Sequence, residues 1–266
     1  MANYLDEILA RKRSEVRRRL RHGSQWTTDA ALVGQQRGAL AEQALRRGPG
    51  APLRVIAEIK RRSPSAGTIR PWARGDVQAI AQRYEAAGAT AISVLCDRVG
   101  FGGSALDLRR ASQVVQAPLL FKEFVLDPVQ VRLAARVNAS MVLLLVRALE
   151  QTALEELVVC CQEAGLAPVV EAADAPELER ALQTRAKIVG VNSRDLRSFH
   201  VDTGAAGDLL SAIPPERIAV FMSGVRSPET FAQVASGRAD AVLIGEYLMA
   251  AQDTRATLQG LLSSRS

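Results

Sequence analysis

The segment from Val55 to Gly67 contains a carboxylate and an ammonium group that could act together in acid–base chemistry. It begins as a β-branched apolar run and then reaches Ser-Pro and Gly, so it predicts a strand followed by a loop. Glu58 and Lys60 are two residues apart and therefore point to the same face of that strand. The alternative for such a spacing is a surface ion pair, which contributes little to stability.

Lysine usage favours the acid–base interpretation. Of the 34 basic residues only Lys12, Lys60, Lys122 and Lys187 are lysine, and Lys60 and Lys122 each lie at the end of an apolar run. Arginine keeps its proton near neutral pH, whereas a lysine can be tuned to release it. We therefore expect proton transfer at both positions.

Composition limits the classes of protein to consider. A chain of 266 residues with 48% apolar content can form one large domain. It has no run of 18 uncharged apolar residues, so we expect no membrane span, and its first residues lack the pattern of a secretory signal. Cys160 and Cys161 are adjacent, which is unsuited to an ordinary disulfide, and with Cys96 they favour a reducing, cytoplasmic location.

The net charge of +6 lies in one segment. Residues 11–22 contain seven Arg or Lys and one Glu, and the rest of the chain has equal numbers of basic and acidic residues. Such a helix could bind nucleic acid or an acidic surface, could be a solvated face, or could lie over an active site for an anionic substrate. We favour the solvated face and expect neither a nucleic-acid nor a membrane partner.

Eight β-branched apolar runs recur along the chain, separated by helical patterns. The runs are Arg54–Ile59, Ala91–Leu95, Leu119–Phe124, Met141–Val146, Pro168–Glu171, Ile188–Asn192, Ile218–Met222 and Ala241–Gly245. The helical patterns cover Asp76–Ala87, Ala105–Val115, Pro128–Val137, Glu150–Ala164, Pro176–Gln183, Thr203–Ala212 (weaker), Ser227–Ala235 and the chain from Leu248. Strands that are buried on both faces and separated by helices form a parallel sheet, so eight such units predict a (β/α)8 barrel. An open doubly wound sheet is the alternative, but no Gly-x-Gly-x-x-Gly follows the first run.

Two helices are expected before the first run. Residues 3–21 are amphipathic, with apolar residues at Leu5, Ile8, Leu9, Val16 and Leu20. A second helix is expected around Ala39–Arg46, before a Gly-Pro-Gly break at 48–50. We therefore predict an N-terminal helical extension over residues 1–52 and a barrel over residues 53–266.

The active site of such a barrel forms at the carboxyl ends of its strands. The polar residues and glycines at those ends are Glu58, Lys60, Ser63, Lys122, Glu123, Glu171, Asn192, Arg194, Ser223, Gly224, Gly245 and Glu246. Lysines and glutamates that end apolar runs would be costly to bury unpaired, so we expect them to meet in a site. Not every polar residue at a barrel rim is functional.

Two further features bear on the chemistry. Gly224 and Gly245 follow the seventh and eighth runs, where barrels often bind phosphate through backbone N–H groups. His22 and His200 are the only histidines, which argues against a histidine metal site and against a Ser-His-Asp triad. We therefore expect a phosphorylated small-molecule substrate and no metal.

With these residues assembled, the chain resembles the indole-3-glycerol-phosphate synthase family over residues 53–250. The matching motifs are Ala57-Glu-Ile-Lys-Arg-Arg-Ser-Pro-Ser65, Phe101-Gly-Gly-Ser104, Lys122-Glu-Phe124, Val189-Gly-Val-Asn-Ser-Arg-Asp-Leu196, Ser223-Gly-Val225 and Leu243-Ile-Gly-Glu-Tyr-Leu-Met249. The resemblance implies a carboxy-lyase of tryptophan synthesis. It would close 1-(2-carboxyphenylamino)-1-deoxyribulose 5-phosphate to indole-3-glycerol phosphate with loss of carbon dioxide and water and without a cofactor. It implies nothing about protein partners.

The resemblance also implies roles for individual residues. Lys122 would be the general acid that protonates the ribulosyl carbonyl, and Glu171 would be the general base. Lys60 would contact the substrate and assist dehydration, tuned by Glu58, while Asn192 would hold a hydroxyl or orient Glu58. Substrate binding is implied for Ser63, Phe101, Arg194 and Ser223, and phosphate binding for Gly224, Gly245 and Glu246.

The sequence departs from the family pattern at Met222, where the family usually has glutamate. A thioether cannot accept the proton that a carboxylate could. Residues 24–52 also match poorly, and the Lys-Asp-Phe of the family is Lys122-Glu-Phe here. Three hypotheses stay open: a true synthase that is slowed, a diverged enzyme for a related aryl-amino sugar phosphate, and a ligand-binding protein without activity. Retention of the paired acids and bases argues against the third, because a binding-only protein needs no matched acid and base. Between the other two the sequence offers only Met222, and we favour the first.

Overall fold

The chain folds as a closed barrel of eight parallel strands in a computed structural model that describes residues 4–21, 36–63, 67–69, 75–192 and 203–263. The strands are β1 (Arg54–Ile59), β2 (Ala91–Leu95), β3 (Leu119–Lys122), β4 (Met141–Leu145), β5 (Ala167–Ala172), β6 (Ile188–Val191), β7 (Ile218–Phe221) and β8 (Ala241–Ile244). Each strand pairs with its neighbours in sequence, and β8 closes on β1. The predicted (β/α)8 barrel is confirmed.

Helices connect the strands and precede them. They are α1 (Tyr4–Arg21), α2 (Arg37–Leu45), α3 (Asp76–Ala86), α4 (Arg98–Phe101), α5 (Ala105–Ala111), α6 (Pro128–Arg136), α7 (Gln151–Glu163), α8 (Ala175–Gln183), α9 (Thr203–Ser211), α10 (Pro228–Ser236), α11 (Glu246–Ala250) and α12 (Thr254–Ser263). A 3₁₀ turn spans Val146–Ala148, and a two-stranded antiparallel hairpin pairs Arg62–Ser63 with Gly67–Thr68.

Side-chain caps explain where several helices begin. Asp127 accepts a hydrogen bond from the N–H of Val129 at 2.8 Å, and Asp174 accepts one from Glu177 at 2.9 Å. Ser227 does the same for Thr230 at 3.3 Å. Each cap is followed by proline at the first or second helical position, where a missing N–H costs nothing. These starts agree with the sequence pattern within a residue.

Six strands differ from the sequence pattern: β4, β6, β7 and β8 each end one residue earlier, and β3 and β5 each differ by two residues in total. Hydrogen bonds explain the limits of β3 and β5. β3 ends at Lys122 rather than Phe124, because the N–H of Phe124 donates to the Glu123 carboxylate at 2.8 Å instead of to a neighbouring strand. β5 is longer than the apolar run, from Ala167 to Ala172, because Ala167 and Ala172 both bond to neighbouring segments.

The two N-terminal helices contact opposite ends of the barrel. α1 reaches the carboxyl end, where Lys12 pairs with Asp97 after β2. α2 lies at the amino end, where Gly38 donates to the carbonyl of Gly165 at 2.9 Å, just before β5. A side chain at Gly38 would come within 2.5 Å of the Ala167 backbone nitrogen, so only glycine permits this approach. The division of the chain at residue 52 stays a prediction.

The apolar core has two parts. One fills the space between the strands and the outer helices and includes Tyr84 of α3, which is fully buried. The other fills the barrel interior and extends onto α1 through Leu5, Ile8 and Leu9. Within the described ranges no helix is both long and apolar enough to span a membrane.

Candidate active site

Four charged side chains meet at the carboxyl ends of three strands. Glu58 is the penultimate residue of β1 and Lys60 follows that strand, Lys122 ends β3, and Glu171 is the penultimate residue of β5. We call Glu58, Lys60, Lys122 and Glu171 the open cluster. The structure thus brings together the four residues for which the sequence predicted acid–base chemistry.

Distances within the open cluster form a chain of ion pairs. Lys60 Nζ lies 2.9 Å from Glu58 Oε1, and Lys122 Nζ lies 4.0 Å from Glu58 Oε2. Lys122 Nζ is also 3.5 Å from Glu171 Oε2. Both lysine side chains are 15% exposed, whereas the two glutamates are almost fully buried. A small molecule in the barrel mouth can therefore reach the two ammonium groups.

Glu58 is held in its ionised form. Burial raises the pKa of its carboxyl, but the charges of Lys60 and Lys122 lower it by more, so the pKa lies below its usual value. Its place also depends on Gly245, because a Cβ there would lie 2.5 Å from Glu58 Oε1. Gly245 thus makes room for Glu58, a function that the sequence did not reveal.

Asn192 and Ser223 fix the orientation of Glu171. The Asn192 amide donates to Glu171 Oε1 at 2.8 Å, and the Ser223 hydroxyl donates to Asn192 Oδ1 at 2.6 Å. The second hydrogen bond determines which way the amide faces, and the first then presents an N–H to the carboxylate. The resemblance implied that Asn192 could orient Glu58, and the hydrogen bond that we observe is to Glu171.

The other predicted site residues lie around this centre. Ser63 is buried in the hairpin after β1, and Phe101 at the end of α4 lies against Phe124 with a ring-centroid distance of 6.3 Å. Gly224 follows β7 with φ of 101°, a left-handed conformation that favours glycine. Glu246 begins α11. Arg194 lies outside the described residues.

A second group of charges lies beside the open cluster and was not predicted as a site. Lys12 Nζ lies 2.9 Å from Glu15 Oε2, 3.0 Å from Asp97 Oδ1 and 3.0 Å from Glu123 Oε1. We call Lys12, Glu15, Asp97 and Glu123 the closed cluster, because the Lys12 side chain is only 1% exposed. A signal was present in the sequence: Lys12 is one of four lysines and continues the helical spacing of Leu5, Ile8 and Leu9.

Comparisons with known proteins identify the family. The family model described as indole-3-glycerol phosphate synthase matches residues 5–261. The chain belongs to the indole-3-glycerol phosphate synthase family. The enzyme of that name from Kineococcus radiotolerans is 42% identical over 212 residues, which cover 80% of this chain and 77% of that protein. The enzyme of that name from Acidithiobacillus ferrooxidans is 40% identical over 263 residues, which cover 98% of this chain and 99% of that protein.

Solved structures of other enzymes share the fold of this synthase-family chain. Thiamine phosphate pyrophosphorylase from Pyrococcus furiosus aligns with a TM-score of 0.58 at 17% identity, covering 79% of this chain and 93% of that one. The N-acetylmannosamine-6-phosphate 2-epimerase from Clostridium perfringens aligns with a TM-score of 0.57 at 13% identity, covering 73% and 86%. At such low identity these alignments support the barrel fold alone.

Met222 occupies an apolar position in this synthase-family chain. It follows β7, is 2% exposed and belongs to the apolar cluster of the barrel interior. A Cβ on Gly190 of β6 would lie 2.7 Å from Met222 Cγ, so the methionine lies directly over that glycine. Within the described ranges, no group of three or more His, Cys, Asp or Glu side chains could hold a metal ion.

Proposed function

We propose that this chain closes 1-(2-carboxyphenylamino)-1-deoxyribulose 5-phosphate to indole-3-glycerol phosphate by acid–base chemistry at the open cluster. The observation that carries the proposal is the chain of contacts from Lys60 through Glu58 and Lys122 to Glu171, at 2.9, 4.0 and 3.5 Å. A binding-only function would need no matched acids and bases at the ends of three strands. Family membership supports the choice of substrate.

Lys122 would act first, as the general acid. Its ammonium group would protonate the ribulosyl carbonyl oxygen while the aryl carbon that bears the carboxylate attacks the carbonyl carbon. That step forms the ring carbon–carbon bond, and loss of carbon dioxide then returns the electron pair to the ring. Glu58 and Glu171 lie within 4.0 Å of Lys122 Nζ on two sides, so its charge is balanced and its position is fixed.

Dehydration would follow. Lys60 would donate a proton to the departing hydroxyl, which leaves as water, and Glu171 would remove a ring proton as aromaticity is restored. Asn192 and Ser223 support this assignment, because they fix the Glu171 carboxylate through hydrogen bonds of 2.8 and 2.6 Å. Each proton transfer of this kind contributes about 10²- to 10⁴-fold to the rate.

The remaining predicted site residues would bind the substrate and its phosphate group. Phe101 offers an aromatic face at the rim for the aryl ring, and Ser63 lies in the hairpin beside it. Ser223 would contact the substrate chain and Arg194 its anionic groups. The backbone N–H groups at Gly224 and Gly245, with the start of α11 at Glu246, would hold the phosphate. The reaction needs no metal or cofactor, because its proton transfers use side chains alone.

We also propose that the enzyme is a carboxy-lyase of the cytoplasm. Carbon dioxide is a product of the proposed reaction, which makes carbon–carbon cleavage part of the mechanism. The three cysteines, all described, form no disulfide, which supports a reducing compartment.

The test is product formation. Purified protein is incubated with the carboxyphenylamino-deoxyribulose phosphate, indole fluorescence is followed, and substrate binding is measured in parallel by calorimetry. We expect indole formation by the wild type and its loss in Lys122→Ala with binding retained. Binding without indole formation by the wild type would contradict the proposal and would favour a diverged substrate. Turnover by Lys122→Ala at the wild-type rate would remove Lys122 from the acid role.

A further inference from the structure

Ser93 places a buried hydroxyl in the middle of an otherwise apolar strand. It is the third residue of β2, whose sequence is Ala-Ile-Ser-Val-Leu, and its side chain is 0% exposed. Within the described residues its Oγ has no hydrogen-bond partner of standard geometry. A buried hydroxyl without such a partner has lost its bonds to water and is unfavourable for folding. Fold stability alone therefore does not explain why a serine stands here.

The Ser93 side chain points into the barrel interior. Its chain neighbour Val94 belongs to the outer part of the apolar core, whereas Ala91, two residues before Ser93, belongs to the interior part. Because strand side chains alternate between two faces, Ser93 shares the inner face with Ala91. The same alternation in β1 places Glu58 on the inner face with Ile56 of the interior core. Ser93 and Glu58 therefore face the same space.

Ser93 also lies directly beside Glu58 in the sheet. The parallel pairing of β1 with β2 places Glu58 opposite Ser93. Paired residues that point to the same face of neighbouring strands have adjacent side chains. On the β8 side of Glu58 stands Gly245, which has no side chain and where a Cβ would lie 2.5 Å from Glu58 Oε1. Of these two neighbours, Ser93 is the one that can offer a side-chain donor to the carboxylate.

The groups around Glu58 come from several elements. Burial raises the pKa of its carboxyl, and Lys60 after β1, Lys122 of β3 and the Ser93 hydroxyl of β2 lower it. A hydroxyl has this effect when it donates to the ionised carboxylate. From α3, the Tyr84 hydroxyl donates at 3.2 Å to the Glu58 main-chain carbonyl and not to the carboxylate. Ser93 is thus a neutral donor on a carboxylate that otherwise faces two ammonium groups.

The two glutamates of the open cluster differ in how firmly the printed contacts hold them. Glu171 accepts a hydrogen bond of 2.8 Å from the Asn192 amide. Glu58 Oε1 lies 2.9 Å from Lys60 Nζ, but Glu58 Oε2 is 4.0 Å from Lys122 Nζ, which is beyond hydrogen-bond distance. One bond to a long, flexible lysine leaves the carboxylate able to rotate. A second donor on a fixed strand would hold its plane.

We propose that Ser93 is a positioning residue whose hydroxyl donates to the Glu58 carboxylate and keeps it turned towards Lys60 and Lys122. The inference rests on the proposed function, in which these two lysines are the proton donors. Rotation about the Ser93 Cα–Cβ bond would complete the hydrogen bond without a movement of β2. Because Ser93 is 0% exposed, it acts through Glu58 and not on the substrate.

The experiment measures kcat and KM for indole formation and follows the Glu58 carboxyl by NMR of protein with isotope-labelled glutamate carboxyl groups. The Glu58 resonance is assigned by its absence in Glu58→Gln. Ser93→Ala should lower kcat about threefold to tenfold with KM nearly unchanged. It should also raise the pKa of Glu58 by roughly 0.5 to 1, because a donor to the ionised form is lost. Ser93→Thr keeps the hydroxyl and should restore both quantities towards wild type.

Two further variants separate positioning from packing. In a Glu58→Gln background Ser93→Ala should have little further effect on kcat, because the ionised acceptor is already absent. Ser140→Ala is the control for loss of a buried hydroxyl. The Ser140 hydroxyl accepts from the N–H of Leu119 at 3.3 Å, at the amino ends of β3 and β4, so its removal should leave kcat and the pKa of Glu58 unchanged.

The outcomes separate the inference from the proposed function. An unmoved Glu58 titration in Ser93→Ala, or an equal loss of kcat in the Glu58→Gln background, would overturn the inference and leave Ser93 a packing residue. If Ser93→Ala does not fold, Ser93→Cys takes its place, because cysteine is of similar size and a weaker donor. Wild-type protein that forms no indole would overturn the proposed function. The Glu58 titration would still decide whether Ser93 holds that carboxylate.

Discussion

The open and closed clusters use the same residue types at the same end of the barrel and differ in access and in charge ratio. The open cluster has two lysines for two glutamates, and its lysine side chains are 15% exposed. The closed cluster has one lysine for three carboxylates, and that lysine is 1% exposed. A substrate can exchange protons only with a group that it can reach. Access and charge balance, rather than residue type, thus distinguish the open cluster, where we place the reaction, from the closed cluster.

The two clusters shift the pKa of their buried glutamates, Glu58 and Glu123, in opposite directions. In the open cluster burial raises the pKa of Glu58, but two lysines outweigh this effect and lower it overall. In the closed cluster burial, with the charge of Asp97, raises the pKa of Glu123 to about 6 against the opposing effect of Lys12. The sign of the shift therefore depends on whether the neighbouring positive charges outweigh the effect of burial.

The largest predicted effect comes from Lys122→Arg, which keeps the charge of the open cluster and removes the proton donor. Guanidinium does not lose its proton at working pH. We expect kcat for indole formation to fall about 10²- to 10³-fold, since one general acid contributes on that scale. Substrate binding and the unfolding midpoint should change little, because the positive charge beside Glu58 and Glu171 remains. Stopped-flow fluorescence measures kcat for indole formation, with Lys187→Arg as the matched control. A fully active Lys122→Arg would disprove proton donation by Lys122.

The next prediction uses the opposite pKa shifts of the two glutamates. The folded pKa of Glu123 is about 6, above the ordinary value of 4.5, so the folded protein binds this proton more tightly than the unfolded chain. Its contribution to the free energy of unfolding is therefore greatest at low pH and falls by about 2 kcal/mol as pH rises from about 4.5 to about 6. For Glu58 the pKa is lowered, so its contribution is present above the ordinary value and is lost as pH falls through the folded pKa.

Urea unfolding at several pH values tests these signs. The difference in unfolding free energy between wild type and Glu123→Gln should decrease with rising pH, and that between wild type and Glu58→Gln should increase. Lys187→Met provides a baseline that is flat over the same range, since its ion pair with Glu42 is exposed. Slopes of the same sign for both glutamates would contradict the contrast between the clusters.

The smallest predicted effect concerns Met222, which follows β7 and lies over Gly190 of β6. Met222→Glu places a carboxylate where the resemblance predicts one, and we expect turnover to rise severalfold if the enzyme is a slowed synthase. Met222→Leu keeps an apolar side chain of similar volume and should leave turnover unchanged. Product assays at saturating substrate compare the two. Equal rates for Met222→Glu and Met222→Leu would favour the diverged-substrate hypothesis.

Much of the fold could be predicted because its signals are local. The β-branched runs, the intervening helical spacing and the Asp-Pro and Ser-Pro helix starts each lie within a few residues of the element that they specify. Strand alternation and the barrel rule also brought Glu58, Lys60, Lys122 and Glu171 to one end. The predicted end of β3 was wrong because the hydrogen bond from the N–H of Phe124 to Glu123 depends on where the carboxylate packs.

The rest of the site depends on contacts between distant segments. Lys12 and Glu123 are 111 residues apart, and the helical spacing that places Lys12 on the buried stripe of α1 does not specify which residues of the barrel it contacts. Gly245 was expected to bind phosphate, and only the structure shows that it also leaves room for the Glu58 carboxylate. The direction of the Asn192 amide follows from Ser223 on another strand end. These features follow from packing geometry rather than from periodicity.

Two adjacent residues offer the most direct test of the central claim that the open cluster, and not the closed cluster, performs the reaction. Indole formation by Lys122→Met and by Glu123→Gln is measured with the same substrate at about pH 7.5, which lies above the pKa of Glu123. We predict a loss of about 10³-fold for Lys122→Met and a change of no more than about threefold for Glu123→Gln. A loss at Glu123→Gln as large as that at Lys122→Met would contradict the account.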